Sequence, residues 1–170
     1  GAAGVDLLLS DSTNAEVKGV TGAERSVGKA LDSIFSEARG RIIIASFASH
    51  IHRIQQIVDV ARHHRRKMTV VGRSMVRNVQ IARDLGYLKL PEEMLINMRD
   101  INNYKPRQVV ILSSGSQGEP LAALTRMAAG DHKKVKLQEG DTVIISAKPV
   151  PGNEVSVNNI INRLFRTGAR

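Results

Sequence analysis

Five short apolar runs, at residues 5–9, 41–45, 68–71, 108–112 and 142–146, constrain the fold of this chain most. They are nearly continuous, without the apolar/polar alternation of a strand that faces water on one side, and so predict strands covered on both faces. Between them the apolar residues recur at helical spacing. Val27, Leu31, Ile34 and Ala38 form one stripe; Ile51, Ile54, Val58 and Ala61 a second; Met75, Val79 and Ala82 a third. Leu121, Leu124 and Ala128 form the fourth, and Val157, Ile160, Ile161, Leu164 and Phe165 the last. Strands alternating with helices predict an α/β fold, a mostly parallel β-sheet with helices on both faces in a Rossmann-like three-layer arrangement. A chain of 170 residues with 42% hydrophobic content suits one core.

Local punctuation agrees with this order. Thr21 followed by Glu24 reads as a capping box opening the first helix, and Gly40 and Gly86 stand where the first and third helices should stop. Residues 87–106 show no clean period and are expected to form a connection with one helical turn near residues 92–96. The longest apolar run is far below the roughly 18 residues of a membrane span, and the N-terminal residues lack the pattern of a signal peptide. No cysteine is present, so disulfides and thiolate metal sites are excluded, and a soluble protein of the reducing cytoplasm is expected.

Charge is concentrated. Of the chain's 25 Lys and Arg residues, ten fall between Arg39 and Arg83, against one acid, Asp59, and the rest of the chain is balanced. The formal net charge of +9 therefore sits in one quarter of the sequence. Such a segment is either a solvated face or the footprint of a polyanion. Within it Arg62, Arg65, Arg66 and Lys67 read as charge exposed on a helix. The aromatics are Phe35, Phe47, Tyr87, Tyr104 and Phe165, and Phe35 and Phe165 lie on apolar stripes that assign them to the core. Base-stacking platforms need several exposed rings, so nucleic acid would be held through phosphates and shape.

In a parallel sheet of this kind, ligands bind beyond the carboxyl ends of the strands. Those ends are rich in small polar residues that suit backbone N–H groups and hydroxyls to an anion, although each alone is also an ordinary helix cap. The loop Ser113-Ser114-Gly115-Ser116-Gln117-Gly118-Glu119 is the most suggestive, since its glycines permit close backbone approach. It is not a Walker loop, because no Gly-Lys-Ser/Thr follows. His50 and His52, two residues apart on a helix, face different directions and make a poor metal pair. His63 and His64 adjoin Arg65-Arg66-Lys67 and read as an extension of the basic patch, and His132 in Gly130-Asp131-His132-Lys133 as a turn residue. Asp11 closes the first apolar run, where a carboxylate serves either as a cap or as a ligand to a divalent cation.

Five motifs in order, Leu7-Leu8-Leu9-Ser10-Asp11-Ser12-Thr13-Asn14, Ser46-Phe47-Ala48-Ser49-His50-Ile51-His52-Arg53-Ile54-Gln55-Gln56, Ser113-Ser114-Gly115-Ser116-Gln117-Gly118-Glu119-Pro120, Gly130-Asp131-His132 and Pro149-Val150-Pro151-Gly152-Asn153-Glu154, resemble those of the bacterial ribonuclease J family. These are metallo-β-lactamase-type nucleases carrying an inserted β-CASP domain. The resemblance implies that residues 1–14 are the edge of the metallo-β-lactamase segment and residues 15–170 the β-CASP domain. It implies 5′-to-3′ exonucleolytic and endonucleolytic RNA cleavage by the intact enzyme, with Zn²⁺ or Mn²⁺/Mg²⁺ as the divalent metal. The implied partners are RNA, preferably 5′-monophosphorylated, the rest of the ribonuclease J chain, and further copies in a homo-oligomer.

Asp11 matches the metal-bridging aspartate, and Ser46, Ser49, His50, Arg73, Ser113, Ser114, Gly115, Ser116, Gln117, Gly118 and Glu119 are the expected RNA- or phosphate-contacting residues. The family's His-x-His-x-Asp-His motif is absent, and Gln55 and Gln56 stand where related eukaryotic nucleases place an acid. No complete catalytic set is expected here, so the chain alone should be inactive and hold no metal tightly. The rival readings are a stand-alone nucleotide- or phosphate-binding α/β domain and a structural insertion whose basic face docks to its neighbour.

Overall fold

The computed structural model describes residues 4–12, 15–19 and 24–170. The elements in order are α1 (Arg25–Glu37), β1 (Ile42–Ala45), α2 (Ile51–His63), β2 (Lys67–Val71), α3 (Arg73–Asp84), β3 (Val109–Ser113), α4 (Ala123–Ala128), β4 (Thr142–Ile145) and α5 (Glu154–Arg166), with three short 3-10 turns between α3 and β3. The strands form one parallel sheet in the order β2-β3-β1-β4. Ile43 of β1 lies opposite Ile111 of β3 and Val143 of β4, which aligns all the carboxyl ends at one edge.

The sheet divides two cores. Ile42 and Ile44 pack with Leu31 and Phe35 of α1, Ile54 and Val58 of α2 and Met75 and Val79 of α3. Ile43 and Ala45 pack with Leu124 and Met127 of α4 and Ile160 and Leu164 of α5. The fully buried β1 and β3 thus supply both layers, which is why their sequences are continuously apolar. Burying each such aliphatic side chain stabilises the fold by about 1.5–3 kcal/mol.

Several expectations are corrected. Residues 5–9 do not form a strand: the segment is irregular, and Leu7, Leu8 and Leu9 are 72–85% exposed. Their apolar character cannot make a strand here without a neighbour to share backbone hydrogen bonds. Phe165 is 71% exposed and lies outside both cores, since Ile160 and Leu164 already fill the face of α5 that meets the sheet. Leu121 is exposed and precedes α4. The connection of residues 87–106 contains the expected turn at Glu92–Met94 and a second at Met98–Asn103, a third following at Pro106–Gln108. The capping-box reading at Thr21 falls outside the described residues.

The basic quarter is not a uniform solvated face. Arg66 is buried, donating to the carbonyls of Phe35, Ala38 and Gly40 at the C-terminal end of α1, with its guanidinium over the Phe35 ring. A cation placed on these orphan carbonyls caps the helix and meets the negative end of its dipole. Lys67 donates to the Glu93 carbonyl at 2.7 Å. Arg41 is buried in a bidentate pair with Asp141, at 2.8 and 2.5 Å, and also donates to the Lys136 carbonyl. Arg53 grips both Glu24 oxygens and the Ser146 hydroxyl, joining the start of α1 to the end of β4. Among the described residues no helix is long and apolar enough to cross a membrane.

Candidate nucleic-acid interface

Each strand hands over to a polar segment at the carboxyl edge, and backbone bonds fix these segments against one another. Ser46 N–H donates to the Ser113 carbonyl, Ser146 N–H to that of Ala45, and Ser114 N–H to that of Val71. Ser46 and Ser113 are buried, and their hydroxyls find no protein partner among the described residues. Gly72 caps α3 with φ +100°, and a Cβ there would stand 2.3 Å from the Ser114 hydroxyl. Only glycine lets these two chain segments meet.

Beside this junction lies a cleft of about 980 Å³, floored by Gly72, Ser74, Ser114 and Ala123 and rimmed by Arg73, Arg77, Arg126, Lys133, Lys134 and His132. Arg73, Arg77, Lys133 and Lys134 are exposed. Burial pushes the His132 imidazole below its ordinary value, and the Arg126 and Lys134 charges push the same way. Its Nδ1 accepts the backbone N–H groups of Val135 at 3.0 Å and Lys134 at 3.4 Å, so in the neutral ring Nε2 is the donor. Glu119 is the acid on this wall. Such a run of cations in a concave, partly apolar site raises the positive potential along this wall.

The glycine-rich loop is placed differently from its sequence appearance. Residues 115–118 are buried, and the two glycines turn toward protein. A Cβ on Gly115 would meet Ala122 at 2.9 Å, and one on Gly118 would meet Ser156 at 2.6 Å. Gln117 accepts from Val150 N–H at 2.7 Å and donates to the Lys148 carbonyl at 3.0 Å, tying the loop to the segment before α5. Of the remaining expected contact residues, Ser49 and Glu119 are exposed, and His50 and Ser114 are half-buried. His50 Nε2 lies 3.8 Å from Glu24, whose carboxyl is held below its ordinary value chiefly by the hydrogen bond from Arg53. Gln55 bonds Asp59 and both backbone groups of Lys89, and Gln56 donates to the Glu24 carbonyl, so both work as struts.

The family model described as "Ribonuclease J, beta-CASP domain" matches residues 39–164, from the turn before β1 to the last turn of α5. This chain belongs to the ribonuclease J β-CASP family. It is 49% identical over 169 residues to Ribonuclease J of a Synechocystis species, covering 99% of this chain and 26% of that protein. Ribonuclease J of Mycobacterium tuberculosis is 46% identical over 170 residues, 100% of this chain and 30% of that protein. Ribonuclease J of Helicobacter pylori is 44% identical over 170 residues, 100% of this chain and 25% of that protein. The chain thus spans about a quarter to a third of the length of the curated relatives it matches.

Of the cations that line this cleft, the sequence reading had singled out Arg73; Arg77, Arg126, Lys133 and Lys134 stand beside it. The pair Lys133-Lys134 beside His132 was the available signal. It lies in the charge-balanced part of the chain, which hid it.

Asp11 is exposed on the irregular segment of residues 4–12. Among the described residues the one group of three His or acidic side chains close enough to hold an ion is Asp32, His63 and His64, which does not include Asp11.

Proposed function

We propose that the cleft between α3 and α4 carries the backbone of RNA across this domain and that, in the longer protein, it feeds the strand to a metal-dependent nuclease centre completed by other segments. The observation that carries this reading is the convergence of Arg73, Arg77, Arg126, Lys133 and Lys134, from three separate stretches of the chain, on one concave wall. Ser49, His50 and Ser114, at the same edge, are the next contacts in line. The relatives' name, Ribonuclease J, supports RNA as the polyanion. The reading extends to 5′-to-3′ and internal cleavage, a preference for 5′-monophosphorylated ends, a homo-oligomer in the cytoplasm, and Zn²⁺, Mn²⁺ or Mg²⁺ as the metal.

Residues 1–14 are proposed to belong to the neighbouring metallo-β-lactamase segment, with Asp11 contributing to its metal site. Val5, Leu7, Leu8 and Leu9 are exposed, and an apolar run of this kind is what a neighbouring sheet would cover. No hydrolytic step is assigned to this chain's own residues, and the 170-residue chain should bind RNA without cutting it.

The test is binding of labelled single-stranded RNA by the chain and by a variant with Arg73, Arg77, Lys133 and Lys134 changed to Ala, over a range of salt. Removing one phosphate-bound cation should reduce the log–log salt slope by about 0.7, so removing four should lower it by close to 3, equally for unrelated RNA sequences. An unchanged affinity and slope in the variant would overturn the cleft as the RNA path. Metal-dependent cleavage by the isolated chain, abolished by Asp11→Ala, would overturn the assignment of the chemistry to the rest of the protein.

A further inference from the structure

At the end of the sheet opposite the cleft, α2 finishes on His63 and His64, beside Asp32 of α1. Strands β1 and β2 are parallel to β3, so α2 must run back from the carboxyl edge, and its last turn lies at the amino edge. His64 Nε2 sits 2.8 Å from Asp32 Oδ1, and one ligand atom from each of Asp32, His63 and His64 lies within 4.8 Å of the others. His64 is set in place from two sides. Its backbone N–H donates to the Val60 carbonyl, and its ring packs at 5.8 Å from buried Phe35 and edge-on at 5.1 Å from His63.

We infer that Asp32, His63 and His64 form a zinc-type metal site that staples α1 to α2. The donor set is two imidazoles and one carboxylate, a composition that Zn²⁺ takes with metal–ligand distances near 2.0–2.2 Å and a fourth position for water. Tetrahedral ligands then stand about 3.3–3.5 Å apart, so the wider separations need to close by roughly 1.5 Å at most and the Asp32–His64 contact to open by about half an ångström. His63 is exposed and can make that movement by a rotamer change, while half-buried His64 and exposed Asp32 are already in contact.

Chemistry also selects the ion. Arg39, Arg65 and Arg107 share the pocket that His64 lines, so a purely electrostatic attraction for Mg²⁺ or Ca²⁺ is opposed. An ion bound through imidazole nitrogen, such as Zn²⁺ or Ni²⁺, gains from the ligand type itself. The site is independent of the RNA reading, because it shares no residue with the cleft and stands at the other end of the sheet.

The experiment is calorimetric titration and thermal melting of the 170-residue chain with ZnCl₂, with MgCl₂ as comparison, in a non-chelating buffer. His63→Ala and Asp32→Asn are the test variants, since neither side chain is part of a core and both should fold. The expected result is one zinc per chain and no response to magnesium, with affinity falling at least tenfold in each variant. Zinc at about 100 times its Kd should raise the melting temperature by about 5–10 °C. No zinc binding by the parent chain would overturn the inference. Binding of equal strength in both variants would also overturn it, by placing the ion at other histidines or at Asp11.

Discussion

Gly118→Val separates two roles for the glycine-rich loop, a phosphate cradle and a packing joint. Gly118 has φ +81°, and a Cβ added there would stand 2.6 Å from the Ser156 Cβ, 2.7 Å from its carbonyl carbon and 2.9 Å from its carbonyl oxygen. The left-handed backbone costs about 1–2 kcal/mol for an L side chain. Displacing α5 from contact adds about 1–3 kcal/mol. The total of roughly 2–5 kcal/mol is a large part of the 5–15 kcal/mol expected of a single domain. For a chain of this size the melting temperature should drop by about 5–20 °C.

Gly130→Val is the control. Gly130 has a similar φ of +78° with nothing within 4 Å of an added Cβ, so it isolates the backbone cost. Urea denaturation of both variants, with parallel RNA binding, measures the difference. Equal stability losses in the two variants would refute the packing argument. A Gly118→Val chain that melts like the parent but no longer binds RNA would restore the loop as a phosphate cradle.

Asp141→Ala should destabilise by about 3–5 kcal/mol in denaturant melts, because it strands the buried Arg41 guanidinium, whereas replacing both partners with apolar residues should recover most of that loss. Parent-like stability in the single variant would mean that Arg41 reaches solvent. His132 makes stability fall with acid: its folded-state value lies below the ordinary 6.5, so the unfolded chain binds the extra proton first. The loss should begin as pH drops through about 6.5 and level off below the folded-state value, and His132→Gln should flatten that part of the melting-versus-pH profile. An unaltered profile in the variant would assign the pH dependence to other groups.

The sheet was legible in the sequence because residues 41–45, 68–71, 108–112 and 142–146 are each apolar at successive positions and each yielded a strand, although only β1 and β3 are buried throughout and the edge strand β4 is half-buried along its length. The stripes of α1, α2 and α3 were legible for the same reason, since burial on one side imposes the helical period. Residues 5–9 carry the same local signature without becoming a strand, because strand formation needs hydrogen-bonding neighbours, which no local pattern records. Phe165 reads as core by spacing and stands in solvent, because which residues of a stripe meet the sheet depends on how the helix is docked.

Charge divides in the same way. Composition established that the chain is basic and that ten cations crowd one quarter of it. Only the tertiary structure decided that Arg41, Arg53 and Arg66 are internal fasteners to Asp141, Glu24 and the end of α1. It also brought Arg73 and Arg77 to Arg126, Lys133 and Lys134 from a distant part of the sequence. The physical reason is range: periodicity and propensity act within a few residues, whereas a guanidinium reaching a carbonyl, or cations gathered on one wall, are fixed by how parallel strands bring distant segments to a common edge.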